Sequence, residues 1–398
     1  MHILLIHQAF ASLDEPGGTR HYELARDLAR RGHQVTVIAS PVSYLTGAVT
    51  HTQTGSEDGI LIRRAYTYQA LHRSFVHRVL AFMSFMTSSF FIGLSVRNVD
   101  LVWGTSPPIF QGWTAWMLAR LKRVPFLFEV RDLWPTFAIA VGVLKNPLLI
   151  RMSEWLERFL YRHADRVMVN SPGYVQHVTE LGARRVELVP NGADPDMFGP
   201  VDGGRTFRAS NHLGQNFVVM YAGAHGMSND LGVVLAAARL LEDTPKVQLV
   251  LVGDGKEKAG LQAQAAQMKL TNVTFLPPVP KNGMAETLAG ADACIAILKP
   301  IDAYKTTYPN KVFDYMAAGR PVVLAIDGVI RQVVEAAGCG VFSPPGDPDA
   351  LAEAIRRLAR NRAESEAMGQ KGRRYAEQHF NRASSAQKLA GILEEMSR

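Results

Sequence analysis

Apolar positions along the chain fall into two interleaved patterns. Short, nearly uninterrupted apolar runs at 3–7, 34–39, 100–103, 125–130, 166–170 and 186–189 read as strands buried on both faces of a sheet. Between them, apolar residues recur every three or four positions at 22–31, 110–121 and 148–163, which predicts amphipathic helices. A polar, glycine-containing stretch at 199–211 interrupts the pattern. It then restarts with strands at 217–222, 247–252, 273–276, 293–298 and 322–325 and a helix at 231–241. Helices at 351–360, 363–379 and 384–396 close the chain. Two blocks of alternating strand and helix predict an α/β protein of two Rossmann-like domains, with parallel sheets and helices on both faces. The expected boundaries are 1–198 and 199–378, with 379–398 a terminal helix.

The candidate chemistry sits in loops at predicted strand ends, where open α/β sheets place ligands. The richest stretch runs from Tyr308 to Val323. Pro309 and Asn310 fix a helix start, Val312, Phe313 and Met316 give the helix an apolar face, and Gly319 and Pro321 stop it before a strand. Backbone amides at such a start, with the helix dipole, favour an anion, and Lys311 adds a full charge within the first turn. Asp314, one turn on, offers two oxygens to neighbouring ribose hydroxyls. The bland reading of Lys311 and Asp314 is an i, i+3 surface pair. Gly17-Gly18 opens the first predicted helix and allows close approach of a phosphate, although a plain tight turn has the same sequence. Glu129-Val130-Arg131-Asp132 puts three charges at the end of an apolar strand: either Arg131 pairs with a neighbouring acid, or the group lines a cleft. The loop after 217–222 contributes His225 and Gly226. Gly253-Asp254-Gly255 lacks the third glycine of a dinucleotide fingerprint, which disfavours a nicotinamide cofactor.

With these residues in register, the stretch around Asp314 resembles the signature of glycosyltransferase family four, the large retaining group with the GT-B fold. There a Glu is followed eight positions later by a second Glu, just before Met-Ala-x-Gly-x-Pro; here the two positions are Thr306 and Asp314. The form Tyr-Pro-Asn-Lys is similar to that of O-antigen and capsule transferases acting on N-acetylfucosamine-like sugars. The resemblance implies two domains facing across a cleft, with the last helix crossing back onto the first. It implies donor contacts from Gly17, Gly18, Gly226, Thr306, Asn310, Lys311, Asp314 and, in the stretch closing the site from the other side, Glu335. Arg and Lys are common in the family's second loop; their absence here leaves Lys311, with His225 and loop amides, to neutralise the diphosphate. Arg131 and Glu129 are the acceptor-side candidates. The activity implied is metal-independent, cofactor-free, retaining transfer of a sugar from a UDP-sugar to a glycan acceptor. Asp194-Pro195-Asp196 spells a short metal-binding pattern of a different transferase fold, but Pro195 in a Gly- and Pro-rich segment points to a linker.

Composition narrows the setting. Among 398 residues, 47% hydrophobic and 20% charged, there is no low-complexity tract, and Cys294 and Cys339 in apolar surroundings read as reduced, buried thiols. The N-terminus has no signal-peptide pattern and reads as a first strand in the cytoplasm. The net charge of +7 is not a nucleic-acid footprint: from Ile60 to Arg123 eight Arg and Lys accompany one acid, Asp100, around the apolar stretch 79–96. A basic-rimmed apolar helix fits a membrane surface and hence a polyprenyl-diphosphate-linked acceptor in surface polysaccharide synthesis. A buried core helix fits that stretch equally. A sugar-nucleotide epimerase of the same fold and a non-catalytic sugar-nucleotide binder remain the alternatives to a transferase.

Overall fold

The computed structural model describes residues 1–43, 47, 49, 54–69, 75–199, 203–244 and 246–397. Arg73, part of the basic stretch, and residues 200–202 of the predicted junction lie outside the described residues. The chain divides into two compact units. The first comprises Met1–Ser12, Gly17–Pro190 and Arg382–Arg398, the second Leu13–Pro16 and Asn191–Asn381.

Unit 1 runs β1 (His2–Ile6), α1 (Arg20–Arg30), β2 (Gln34–Ala39), β3 (Gly55–Glu57), β4 (Ile60–Arg64), α2 (Phe75–Ser95), β5 (Leu101–Ser106), α3 (Phe110–Lys122), β6 (Phe126–Val130), α4 (Thr136–Ala140), α5 (Pro147–His163), β7 (Arg166–Val169), α6 (Val175–Glu180) and β8 (Val186–Leu188). Its sheet has the order β3-β4-β2-β1-β5-β6-β7-β8, parallel except for β3 against β4. β1, β2, β5 and β6 are buried almost throughout, as their apolar runs require. β5 continues through Gly104, Thr105 and Ser106, which the sequence pattern assigns to a closing loop. Gly104 is a packing position: a Cβ there would strike Ala115 of α3 and the Phe126 ring. The β3–β4 hairpin is absent from the apolar pattern, yet its turn is Asp58-Gly59, both residues at positive φ (48° and 80°), the two-residue turn that Asp-Gly favours.

Unit 2 holds α7 (Gly203–Ser210), β9 (Phe217–Ala222), α8 (Leu231–Leu240), β10 (Val247–Val252), α9 (Lys258–Gln267), β11 (Val273–Leu276), α10 (Met284–Ala289), β12 (Ala293–Ile297), α11 (Asn310–Ala317), β13 (Val322–Ala325), α12 (Val329–Ala337), β14 (Gly340–Phe342), α13 (Pro348–Arg360) and α14 (Arg362–His379). The final helix, α15 (Arg382–Ser397), belongs to unit 1. The second sheet is β11-β10-β9-β12-β13-β14, all parallel, the dinucleotide-fold order 3-2-1-4-5-6. Its strand order reverses between β9 and β12, as that of unit 1 does between β1 and β5.

The expected junctions after 198 and 378 move to Pro190 and Asn381. Asp194 caps the turn Pro195–Phe198 by accepting from Asp196 N at 3.1 Å, and this turn buries Phe198 in the unit 2 core. Asp194 is thus a turn residue. At the other end Phe380 packs on Phe313, ring centroids 4.5 Å apart, and accepts from Ala193 N through its carbonyl at 3.0 Å. Arg382 then reaches Glu23 at 2.9 Å within unit 1, tying α15 to α1.

α2, which covers 79–95, has one buried face and one exposed apolar face. Ala81, Phe85, Ser89 and Gly93 form a buried stripe, and a Cβ on Gly93 would strike Leu118 of α3. Val76, Leu80, Met83, Phe91 and Leu94 form an exposed stripe on the opposite side. By length and composition α2 is the one helix among the described residues able to cross a membrane, yet it packs against α3 along its buried stripe.

Candidate functional sites

In unit 2 the reversal point collects the loop after β9, the loop after β12 and the start of α11. Lys311 Nζ donates to Tyr221 Oη at 2.7 Å and Asn229 Oδ1 at 3.2 Å, and lies 4.1 Å from the Tyr221 ring centre. Tyr221 and Asn229 both donate to Ala224 O, at 2.7 and 2.9 Å, so the loop that bears His225 and Gly226 is held around the ammonium. Tyr315 of α11 clamps the end of β9, accepting from Ala222 N at 3.0 Å and donating to Ala222 O at 3.1 Å. The groups facing Lys311 are neutral, and burial pulls its ammonium down to about 7. A half-desolvated cation held by neutral oxygens gains most from an incoming anion.

His225 does not supply the second positive charge assigned to it. Its ring is buried, and burial, with Lys258 acting in the same direction, lowers it to about 4, so it is neutral at pH 7. Neither ring nitrogen has a hydrogen-bond partner, so the imidazole retains one donor and one acceptor. Gly253 and Gly255 explain their glycines here: at φ +144° and +152°, a Cβ on either would strike the backbone of the β9 loop, at Gly223 and His225 respectively.

Asp314 is already engaged. Lys281 Nζ donates to its Oδ1 at 2.6 Å and Asn310 Nδ2 to its Oδ2 at 3.4 Å, so it is not the i, i+3 partner of Lys311. Lys281, almost fully buried and 5.1 Å from the centre of the Phe198 ring, escaped the sequence reading because it precedes a short helix with no motif around it. Thr306 donates to Ala303 O at 2.7 Å in its own turn. Glu335 lies outside this cluster: it is exposed near the far end of α12 and pairs with Arg331 at 2.7 Å. The start of α12, nearest the strand ends, is Gly328, at φ +89°, where a Cβ would strike Lys305. We expect Lys281→Met to lower the unfolding free energy by about 1.5–3 kcal/mol in urea titration, since a largely buried carboxylate loses its cation.

In unit 1, Gly17 and Gly18 are exposed ahead of α1, and a Cβ on Gly18 would meet nothing within 4 Å. Glu129 is fully buried, which corrects its assignment as a direct acceptor contact. It accepts from Arg20 Nε at 3.0 Å, His21 Nε2 at 2.7 Å and Trp103 Nε1 at 3.1 Å, not from Arg131. Burial pushes its carboxyl up, but His21 and Arg20 outweigh that and hold it at about 2. Burial brings His21 down to about 4, so Arg20 is the cation that balances Glu129 at pH 7. Arg20 also reaches Val189 O at 2.7 Å and Pro190 O at 2.9 Å.

Stacked on His21 at 3.9 Å is His7, just past β1. Its Nδ1 meets Thr105 Oγ1 at 2.7 Å, its buried Nε2 has no partner, and Gln111 joins Thr105 Oγ1 to the backbone N of Gln8. His7 and Gln111 were missed because a histidine ending a strand and a glutamine opening a helix carry no spacing signal. Arg131, half-buried, donates to Pro107 O at 2.5 Å, and burial raises Asp132 to about 6 against the pull of Arg131.

Among the described residues, no group of three or more His, Cys, Asp or Glu is placed to hold a metal ion. Residues 17–192 match the family described as "Glycosyl transferase 4-like domain", and residues 216–361 match "Glycosyl transferases group 1". WcaI of Escherichia coli K12, a glycosyl transferase assigned to colanic acid biosynthesis, is 25% identical over 84% of this chain and 86% of its own. Among solved structures, sucrose-phosphate synthase of Thermosynechococcus elongatus superposes with a TM-score of 0.81 at 20% identity, covering 99% of this chain and 98% of that one. The Anabaena protein HepE, solved in complex with UDP, superposes with a TM-score of 0.73 at 16% identity, covering 99% and 100%.

Proposed function

Because the chain belongs to the glycosyltransferases, a 4-like domain followed by a group 1 domain in the GT-B fold, we propose that it transfers a sugar from a UDP-sugar to a glycan acceptor with retention at the anomeric carbon. The observation that carries the donor assignment is Lys311, a half-buried ammonium among neutral oxygens where the strand order of a dinucleotide-fold sheet reverses. The uracil assignment leans on HepE, whose structure holds UDP. The bond from the anomeric carbon to the diphosphate oxygen breaks, leaving negative charge that Lys311 stabilises. The acceptor hydroxyl bonds the same face of that carbon, and its proton passes to the departing phosphate oxygen, so no protein nucleophile is needed. No step uses a metal or cofactor.

The Tyr-Pro-Asn-Lys form favours an N-acetylated deoxy-amino sugar of the N-acetylfucosamine type. The similarity to WcaI favours surface polysaccharide as the product, and the exposed apolar stripe of α2 favours a polyprenyl-diphosphate-linked acceptor on the cytoplasmic face of the membrane. Turnover of a panel of UDP-sugars with a short polyprenyl-diphosphate sugar, read by the anomeric proton coupling of the product, tests the proposal. A product with the donor's anomeric configuration is expected; an inverted product, or conversion of the donor without acceptor, contradicts it.

A pH dependence follows from Lys311, which titrates near 7 when no ligand is bound. A bound diphosphate favours its charged form, so binding is stronger below pH 7 and weakens as pH rises through 7, by up to about tenfold per unit. A UDP-sugar is the probe, because its diphosphate has no ionisation in that range, and titrations at pH 6, 7.5 and 9 measure the effect.

A further inference from the structure

We propose that the exposed face of unit 1 formed by α2, α3 and α5 is a docking surface for an anionic phospholipid bilayer. α3 packs between the other two helices. On α2 the stripe from Val76 through Leu80, Met83 and Phe91 to Leu94 faces outward, with Phe91 65% exposed. On α5, Leu148, Met152 and Trp155 repeat at four- and three-residue spacing and are 64%, 57% and 57% exposed. α5 lies outside the apolar, basic region of the sequence, and its outward stripe is visible only in the fold. Trp155 leads into an aromatic seam, with ring centroids 5.4 Å from Phe159 and 6.3 Å from Trp113 of α3. Amphipathic aromatic rings of this kind suit the boundary between headgroups and acyl chains.

The charge around this face selects its occupant. α2 and α3 contain no Asp or Glu, while Arg120 and Arg123 are exposed at the end of α3. On α5, Arg151, Arg158 and Arg162 flank the apolar stripe; Glu157 is buried against Tyr161 and His177, and Glu154 lies 3.9 Å from Arg158. A second copy of the chain would bring arginines against arginines, whereas an anionic headgroup layer meets them with opposite charge. α2 is held along its inner stripe, where Thr114 donates to Met86 O at 3.1 Å and Lys122 to Val96 O at 2.6 Å, so the apolar side chains enter the interface from a helix lying in its plane.

The inference refines the membrane-side part of the proposed function, but its test contains neither donor nor acceptor. The full chain is sedimented with vesicles of phosphatidylcholine alone and of phosphatidylcholine with phosphatidylglycerol, at low and high salt. Binding to the anionic vesicles, weakened at high salt, is expected. Both the combined variant Leu148→Ser, Met152→Ser, Trp155→Ser and the variant Arg151→Gln, Arg158→Gln, Arg162→Gln should bind at least tenfold more weakly. These side chains are exposed, and unchanged circular dichroism together with unchanged UDP binding shows the variants folded. Equal binding to both vesicle types, no loss in either variant, or a salt-stable dimer in sedimentation that Phe91→Ser disperses would each overturn the proposal. If UDP fails to bind but the vesicle results hold, the donor assignment fails and the docking surface stands.

Discussion

Lys311→Ala is expected to reduce turnover by about 100- to 1,000-fold while leaving the protein folded and at least as stable as wild type. The catalytic loss follows from removing the ammonium that meets the departing diphosphate. The stability expectation is less usual and follows from the same burial. With its ammonium lowered to about 7 in the fold, against an ordinary value near 10.4, Lys311 binds a proton more readily in the unfolded chain. Its charge therefore opposes folding at pH values below about 10, most strongly below 7, and deleting it removes that opposition. Tyr221 and Asn229 keep their bonds to Ala224 O, so the loop retains its anchors. Kinetics alongside urea unfolding of Lys311→Ala and Lys311→Met check both halves. A variant that loses activity because it unfolds would argue that Lys311 is a packing residue.

Glu129→Ala carries the largest expected effect on stability, about 3–5 kcal/mol, because it leaves Arg20 buried without its carboxylate and takes an acceptor from His21 and Trp103. The same cluster predicts the acid response of unit 1. Glu129, held at about 2 against an ordinary value near 4.5, contributes stability that is complete above about pH 4.5 and is lost as pH falls toward 2. His21, lowered to about 4, is neutral in the fold, and its share is complete above about pH 6.5 and falls away toward pH 4; His7, lowered by burial and by His21, acts in the same direction. Urea midpoints should therefore decline from pH 6.5 downward. In Glu129→Gln the part below pH 4.5 should shrink.

The fold was legible wherever an apolar run marks a strand: β2, β9, β10 and β13, buried almost throughout, and the half-exposed edge strand β11 occupy the predicted residues. It was illegible where no such run exists. β3, β4 and β14 are half-exposed and lack such a run, and the polar end of β5 hides behind Gly104, whose role is to admit α3.

At the sites, motif residues were found and their partners were not. Lys311, Asp314 and the glycines and histidine of the β9 loop stand in recognisable spacing, whereas Tyr221 and Asn229, which flank that loop, and Lys281, from a separate segment, carry no motif and are joined to Lys311 and Asp314 only in the fold. Charge states were legible least of all. His225 and Glu129 looked like working groups in sequence, and burial makes one neutral and seals the other behind Arg20. Glu335 was placed at the site by the resemblance, as part of the stretch that closes it, but a helix carries its seventh residue about 9 Å from its first, here away from the strand ends.

The most direct test of the donor assignment is calorimetric titration of UDP and GDP into wild type and Lys311→Ala, with and without EDTA. The account predicts that wild type binds UDP in preference to GDP, that EDTA leaves binding unchanged, and that Lys311→Ala weakens it at least tenfold. UDP binding of equal strength in Lys311→Ala, or binding abolished by EDTA, would contradict a donor site built on this half-buried ammonium.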